Sequence, residues 1–209
     1  MTLTQLQNFL ASVSETHVIL GYGSLMNADS RARFSGIEYQ GIPVRVAGFE
    51  RGWLTRSYHE SQTYVGAVRR VGASLNAQLI PVLMNPSLAQ RERDYLFTQV
   101  SPEFLTFALD EQADKLLRHW LSERAIWICE TTDAFEPDSE FPVSQTYVDT
   151  CLAGCLSHGG TTEATFFIRH TSCWPESFRD DRLAPVYPRA GRVDEATLKA
   201  IDALLAEHL

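Results

Sequence analysis

The sequence predicts an α+β fold: one curled sheet forms the core and helices pack around it. Three observations lead there. Short apolar and β-branched runs dominate the first half of the 209 residues, and helical periodicity dominates the second. The strand-like runs stand close together with Gly, Ser and Asn between them, which favours a barrel-like sheet over a parallel one. No series of alternating strand and helix units follows the first strand, which argues against a doubly wound arrangement.

The elements read as follows. Leu3, Leu6, Phe9, Leu10 and Val13 form a helical stripe. His17 to Gly21 (HVILG) is a buried strand that runs into glycines. Asn27-Ala28-Asp29-Ser30 offers capping side chains for a short helix through Phe34. Residues 43–49, 64–70 and 77–84 each look extended. Pro86 fits the first turn of a short helix that continues to Tyr95. Residues 97–100 and 125–129 read as further strands, and the polar stretch 131–139 as a loop. Residues 143–156 are helical by pattern and the Gly159-Gly160 pair closes them. Residues 161–169 can form another helix, although their threonines and phenylalanines leave that open. Residues 171–192 hold three prolines and no clear period, so they read as a long connection, a feature that often serves function. Residues 193–209 form an amphipathic C-terminal helix. The whole chain, 1–209, reads as one domain, with a core over about 17–130 and a helical C-terminal part over about 141–209.

Charge narrows the partner class. The net charge is -8, so the basic footprint of a nucleic-acid-binding protein is absent and a small molecule or a protein is the expected partner. No stretch reaches the roughly 18 apolar residues that a membrane helix needs. The first 17 residues read as an amphipathic helix and not as a signal peptide, so a cytoplasmic protein with reduced thiols is expected. Of the four cysteines, Cys151 and Cys155 share a helix face, where two small buried residues are a simpler reading than half a metal site. No metal site is expected.

The most informative segment is Val18-Ile19-Leu20-Gly21-Tyr22-Gly23-Ser24-Leu25-Met26. Glycines after a strand permit unusual backbone angles, and successive N–H groups at such a turn form an anion-receiving hollow. Three readings compete. A dinucleotide fingerprint would need a third glycine, and Met26 stands there. The segment can be a turn with no ligand. It can also be a loop that holds a carboxylate.

The third reading gains from a resemblance. The apolar strand followed by Gly21-Tyr22-Gly23-Ser24-Leu25 is similar to the signature of the gamma-glutamylcyclotransferase superfamily, which includes AIG2-like proteins and glutathione-specific enzymes. In that family a catalytic glutamate follows in a segment often of the form LDxxEGxxY. Leu88-Ala89-Gln90-Arg91-Glu92-Arg93-Asp94-Tyr95 resembles it in leucine, glutamate and a following tyrosine one position earlier, with Ala89 in place of the aspartate and Arg93 in place of the glycine. The segment 47–53 resembles the family's buried aromatic strand, and 76–82 the strand that leads to the glutamate. The resemblance covers about residues 17–130 and implies a small mixed β-barrel with packed helices and a helical C-terminal third.

The implied reaction is intramolecular: the α-amine of a gamma-glutamyl group attacks its own gamma-carbonyl, closes 5-oxoproline and expels an amine. It needs no cofactor. Glu92 is the expected general acid and base, because a buried carboxylate of raised pKa can take the ammonium proton and return it. The Tyr22, Gly23, Ser24 and Leu25 backbone is expected to receive the substrate's carboxylate or steady the oxyanion. Leu88, Ala89 and Tyr95 lie three and four residues from Glu92, so the glutamate falls on an apolar stripe. Tyr95 either hydrogen-bonds in the pocket or packs. Ser24 lacks a nucleophile elbow and reads as a hydrogen-bond donor. Arg56 and His59 lie in a loop. Tyr187-Pro188-Arg189 either covers the pocket, with Arg189 on a carboxylate, or lies at the surface. The altered residues around Glu92 keep a second class open: a catalytically idle member that binds a ligand or protein in the same cavity.

Overall fold

A computed structural model describes all 209 residues. Helix α1 (Leu3–Ser12) is closed at its start by Thr2, whose hydroxyl accepts from the Gln5 amide while the Gln5 side chain accepts from the Thr2 amide. Strand β1 (His17–Gly21) follows; Val18, Ile19 and Leu20 are buried. A single 3-10 turn over Ser24–Met26 leads into α2 (Ala28–Ser35), which Asn27 caps through the Ser30 amide at 2.9 Å.

Next come two long antiparallel strands, β2 (Ile42–Ser57) and β3 (Gln62–Val82). Here the structure corrects the sequence reading. The separate runs 64–70 and 77–84 belong to one strand, and residues 50–57 extend the run 43–49. Gly72, Ala73 and Ser74 look like a break between strands, yet the chain never leaves the sheet. Gly48 alone stands opposite residues 70–73, because the pairing passes from Ala47↔Ser74 to Phe49↔Arg69. Gly48 and Gly72 take φ of 82° and 81° at this bulge, a region that favours glycine.

Helix α3 (Pro86–Arg91) starts at the Asn85 cap and ends four residues before the expected Tyr95. Glu92, with φ -102° and ψ 23°, closes it. Strand β4 (Leu96–Gln99) and the two-residue β5 (Leu105–Thr106) follow. Helix α4 (Glu111–Leu121) stands in a stretch that the pattern analysis leaves unassigned, although Asp110 caps it and Ala113, Leu117 and Leu121 bury one stripe. Strand β6 (Ala125–Glu130) precedes α5 (Gln145–Arg169), which is broken at Gly160 (φ 62°, ψ -156°) into two helical pieces: the first is the expected one, and the second settles as helix the stretch 161–169 that the sequence leaves open. Strand β7 (Thr171–Ser172) opens an otherwise irregular strap that reaches α6 (Glu195–His208).

The sheet runs β4-β6-β1-β3-β2-β5, with β7 beside β2. It is mixed: β1 pairs antiparallel with β3 and parallel with β6, and β3 also reaches β6 at Ala67↔Glu130. This second contact curls the sheet into a half-barrel. Buried apolar side chains from Leu6 to Leu205 form one continuous core. Cys151 and Cys155 lie fully buried in it. No helix is long and apolar enough to cross a membrane.

Candidate active site

Where β1 ends, the chain turns across the open end of the half-barrel. Neither Gly21 nor Gly23 has positive φ, although Gly23, at φ -123° and ψ -132°, lies outside the usual extended and helical regions. The requirement is space. A Cβ on Gly21 would lie 2.8 Å from Leu25 Cβ, and one on Gly23 would lie 2.7 Å from Val65 Cγ2 and 3.0 Å from the Tyr147 hydroxyl. The amides of Tyr22 and Gly23 donate to no acceptor within the chain.

Three buried arginines hold this turn. Arg51 donates to the Tyr22 carbonyl (3.2 Å), to the Asn76 carbonyl and side chain, and to the Phe167 carbonyl, and stacks on the Phe167 ring at 3.7 Å. Arg31 donates to the Leu25 and Met26 carbonyls, both at 3.1 Å. Arg91 donates to the Ser24 hydroxyl at 2.9 Å, to the Ser30 hydroxyl at 3.2 Å and to the Ser35 hydroxyl at 3.0 Å. Neither Arg31 nor Arg51 has a carboxylate partner, and burial draws both down to about 10, still protonated at neutral pH.

Glu92 sits on the far wall. It is 8% exposed, and its Oε1 lies 3.4 Å from Arg91 Nε. Burial raises its pKa, against the pull of Arg91, of Arg189 and of a hydrogen bond from the Cys129 thiol. Tyr22, Gly23, Ser24, Leu25, Glu92 and Tyr95 line one cleft of about 420 Å³, its mouth included. The sequence-predicted residues are therefore brought together.

Their partners refine the picture. The Ser24 oxygen accepts from Arg91 and from the Tyr187 hydroxyl at 2.7 Å, which leaves the serine's own proton as its remaining polar group. The Tyr95 hydroxyl donates to the Val65 carbonyl at 2.7 Å, so the ring lines the cleft while the hydroxyl binds its wall. The Tyr22 hydroxyl likewise donates to the Cys129 carbonyl. Burial pushes the Tyr22, Tyr95 and Tyr147 phenols well above their usual range, so they stay neutral.

Sequence reasoning did not single out Arg91, Tyr64, Cys129 and Tyr147 for this cleft. Tyr187 and Arg189, whose place the sequence leaves open, line it as well. Arg189 bonds Glu60 at 3.0 Å. Arg56 does not take part: it pairs with Asp138, and His59 lies in a neighbouring groove. Glu92 is the one carboxylate that lines the cleft, against Arg91 and Arg189 at its walls and Arg31 and Arg51 behind the turn. The hollow favours an anion. No group of three or more His, Cys, Asp or Glu side chains converges for a metal.

Comparison with known structures bears on the fold. A gamma-glutamyl cyclotransferase structure superposes with a TM-score of 0.55 at 10% identity, over 90% of this chain and 98% of that one. The chain has the gamma-glutamyl cyclotransferase fold. An uncharacterized protein from Homo sapiens, loc79017, is similar to the same degree, with a TM-score of 0.55 at 12% identity over 90% of this chain and 99% of its own. No protein-family model and no curated protein sequence matches. At such identity the gamma-glutamyl cyclotransferase fold says how the backbone runs, and the chemistry rests with the residues of the cleft.

Proposed function

We propose that the protein is a gamma-glutamylcyclotransferase-type enzyme that converts a gamma-glutamyl compound to 5-oxoproline and an amine. The observation that carries this reading is the buried Glu92 carboxylate, of raised pKa, in the same cleft as the Tyr22–Leu25 turn. The substrate's α-carboxylate sits at the turn, where the Tyr22 and Gly23 amides and the Ser24 proton are available and the buried arginines supply positive potential. Its α-ammonium then faces Glu92.

The proton balance closes with one carboxylate. Glu92 takes a proton from the α-ammonium, and the freed amine attacks the gamma-carbonyl to form the lactam C–N bond. As the C–N bond to the leaving group breaks, the proton passes to the departing nitrogen. A second proton follows the same route, so the two that leave one nitrogen arrive on the other. Donors at the turn steady the intermediate oxyanion. Because nucleophile and electrophile share one molecule, holding the folded substrate supplies much of the rate. The reaction needs no cofactor.

A panel of gamma-glutamyl amino acids, peptides and amines assayed for 5-oxoproline tests the proposal. Glu92→Gln keeps the shape and removes the base, and the expected loss of kcat is about 10² to 10⁴-fold. A second reading, ligand binding without turnover, is favoured by the 3.4 Å Arg91–Glu92 pair, since a paired carboxylate is a weaker base. It replaces the first if the panel binds by calorimetry while no member yields 5-oxoproline.

A further inference from the structure

Outside the cleft lies a second hollow, a groove of about 650 Å³ with its mouth, lined almost wholly by polar side chains. Arg91 and Arg189 line both, so the two share a wall. The groove holds Glu60 from the tip of the β2–β3 hairpin, Arg93 from the turn after α3, and Arg189 from the strap. Arg189 Nη1 bonds Glu60 Oε1 at 3.0 Å, and the Tyr64 hydroxyl and Arg189 Nη2 engage Oε2. Both oxygens of Glu60 are thus engaged, and its charge is already met by Arg189.

Arg93 is different. Its Nη2 comes only to 3.6 Å from Glu60 and donates no hydrogen bond, and its side chain is a third exposed. Two guanidiniums face one carboxylate, so the cluster carries one surplus positive charge with an open donor fork. A guanidinium fork matches a carboxylate in two parallel hydrogen bonds. The groove meets the cleft at the wall that Arg91 and Arg189 form, beside Glu92, which on the cyclisation reading hands the proton to the departing nitrogen.

On the cyclisation reading above, we infer that Arg93, backed by the Glu60–Arg189 pair, receives a carboxylate borne by the leaving amine and so sets leaving-group specificity. Substrates whose leaving group carries such a carboxylate are selected over those with neutral or cationic leaving groups. Arg93 stands where the family segment has a glycine, a position at which a side chain is free to project into the groove.

The test uses gamma-glutamyl-alanine and its neutral analogue gamma-glutamyl-alaninamide. Calorimetry on the Glu92→Gln protein reads binding without turnover, and the acid should bind about tenfold tighter than the amide, the worth of one charge-assisted hydrogen bond. Adding Arg93→Gln should bring the two affinities to near parity, and Arg93→Lys should restore part of the difference. Equal affinity for acid and amide, or a preference that survives Arg93→Gln, overturns the inference. Turnover by the unaltered protein separates this from the reaction. A preference with no 5-oxoproline from either probe sinks the cyclisation and leaves Arg93 as a carboxylate-receiving site alone. Turnover of both with no preference sinks the selector alone, and no binding of either sinks both.

Discussion

At Glu92 opposing influences act on one carboxylate. Burial disfavours its charge, while Arg91, Arg189 and the Cys129 thiol favour it, and burial prevails. Arg91 is itself locked by three serine hydroxyls and the Ser30 carbonyl, so its charge stays fixed beside the base. Without that positive charge the Glu92 carboxylate loses a stabilising neighbour, so its pKa climbs further. In Arg91→Gln the acid limb of kcat/KM for 5-oxoproline release should therefore move to higher pH, because that limb reports the free enzyme's base. Arg91→Lys keeps the charge and should leave the limb near its original place, even if the lost hydrogen bonds cost stability. If both variants shift it equally, packing and not charge tunes the base. Arg91 escapes a helical-wheel reading for a definite reason. Consecutive residues on a helix point about 100° apart, but α3 ends at Arg91 and Glu92 adopts non-helical angles, so both side chains turn inward.

The turn after β1 is a short element held from every side. Arg51 and Arg31 fix its carbonyls, Arg91 its serine, and α5 packs against its end, where a Cβ on Gly154 would come within 2.6 Å of the Met26 carbonyl carbon. Gly23 leaves no margin. Gly23→Ala puts a methyl against Val65 Cγ2 and the Tyr147 hydroxyl, and overpacking of this kind costs about 1–3 kcal/mol. At roughly 2–4 °C per kcal/mol for a chain of this size, the melting temperature should fall measurably. Substrate affinity should fall more steeply, since relief of the clash moves the amides that receive the anion. Unchanged calorimetric affinity would remove the turn from the binding site. The glycine pattern was legible because it is local. Strand lengths were not, because Gly72 and Gly48 mark a bulge inside one ladder as readily as a break between two. Helix α4 carried its signals in plain order, an aspartate cap and an i, i+4 stripe, yet stood between short irregular pieces that obscured its start.

Across the whole molecule the cleft draws on positions near 22, 64, 92, 129, 147 and 187, and only the first and third of these carried a motif. The others converge through the topology: Tyr64 through β3, Cys129 through β6 where it meets β1 and β3, Tyr147 through the first turn of α5. The strap is the least legible part, since nothing periodic marks it, and its place rests on Asp181. Ser144, at the start of α5, spends its hydroxyl on Gln62 instead of capping. Asp181 takes over that duty: its carboxylate accepts from the Thr146 amide at 2.8 Å, from the Thr146 hydroxyl, and from the Val186 amide at 2.9 Å. One buried side chain so ties the strap to the helix that carries Tyr147, and it does so through Val186, one residue before Tyr187, which the strap delivers to Ser24. Asp181→Ala leaves these donors without an acceptor, at a cost of roughly 1–3 kcal/mol each. Residues 180–190 should then exchange their amide hydrogens faster, and KM should rise more than kcat falls, because Tyr187 and Arg189 wall the cleft without touching the transferred proton. If exchange in the strap stays slow while α5 alone loosens, Asp181 serves the helix and the strap is held by Arg182 on Asp149 and Asp202 instead.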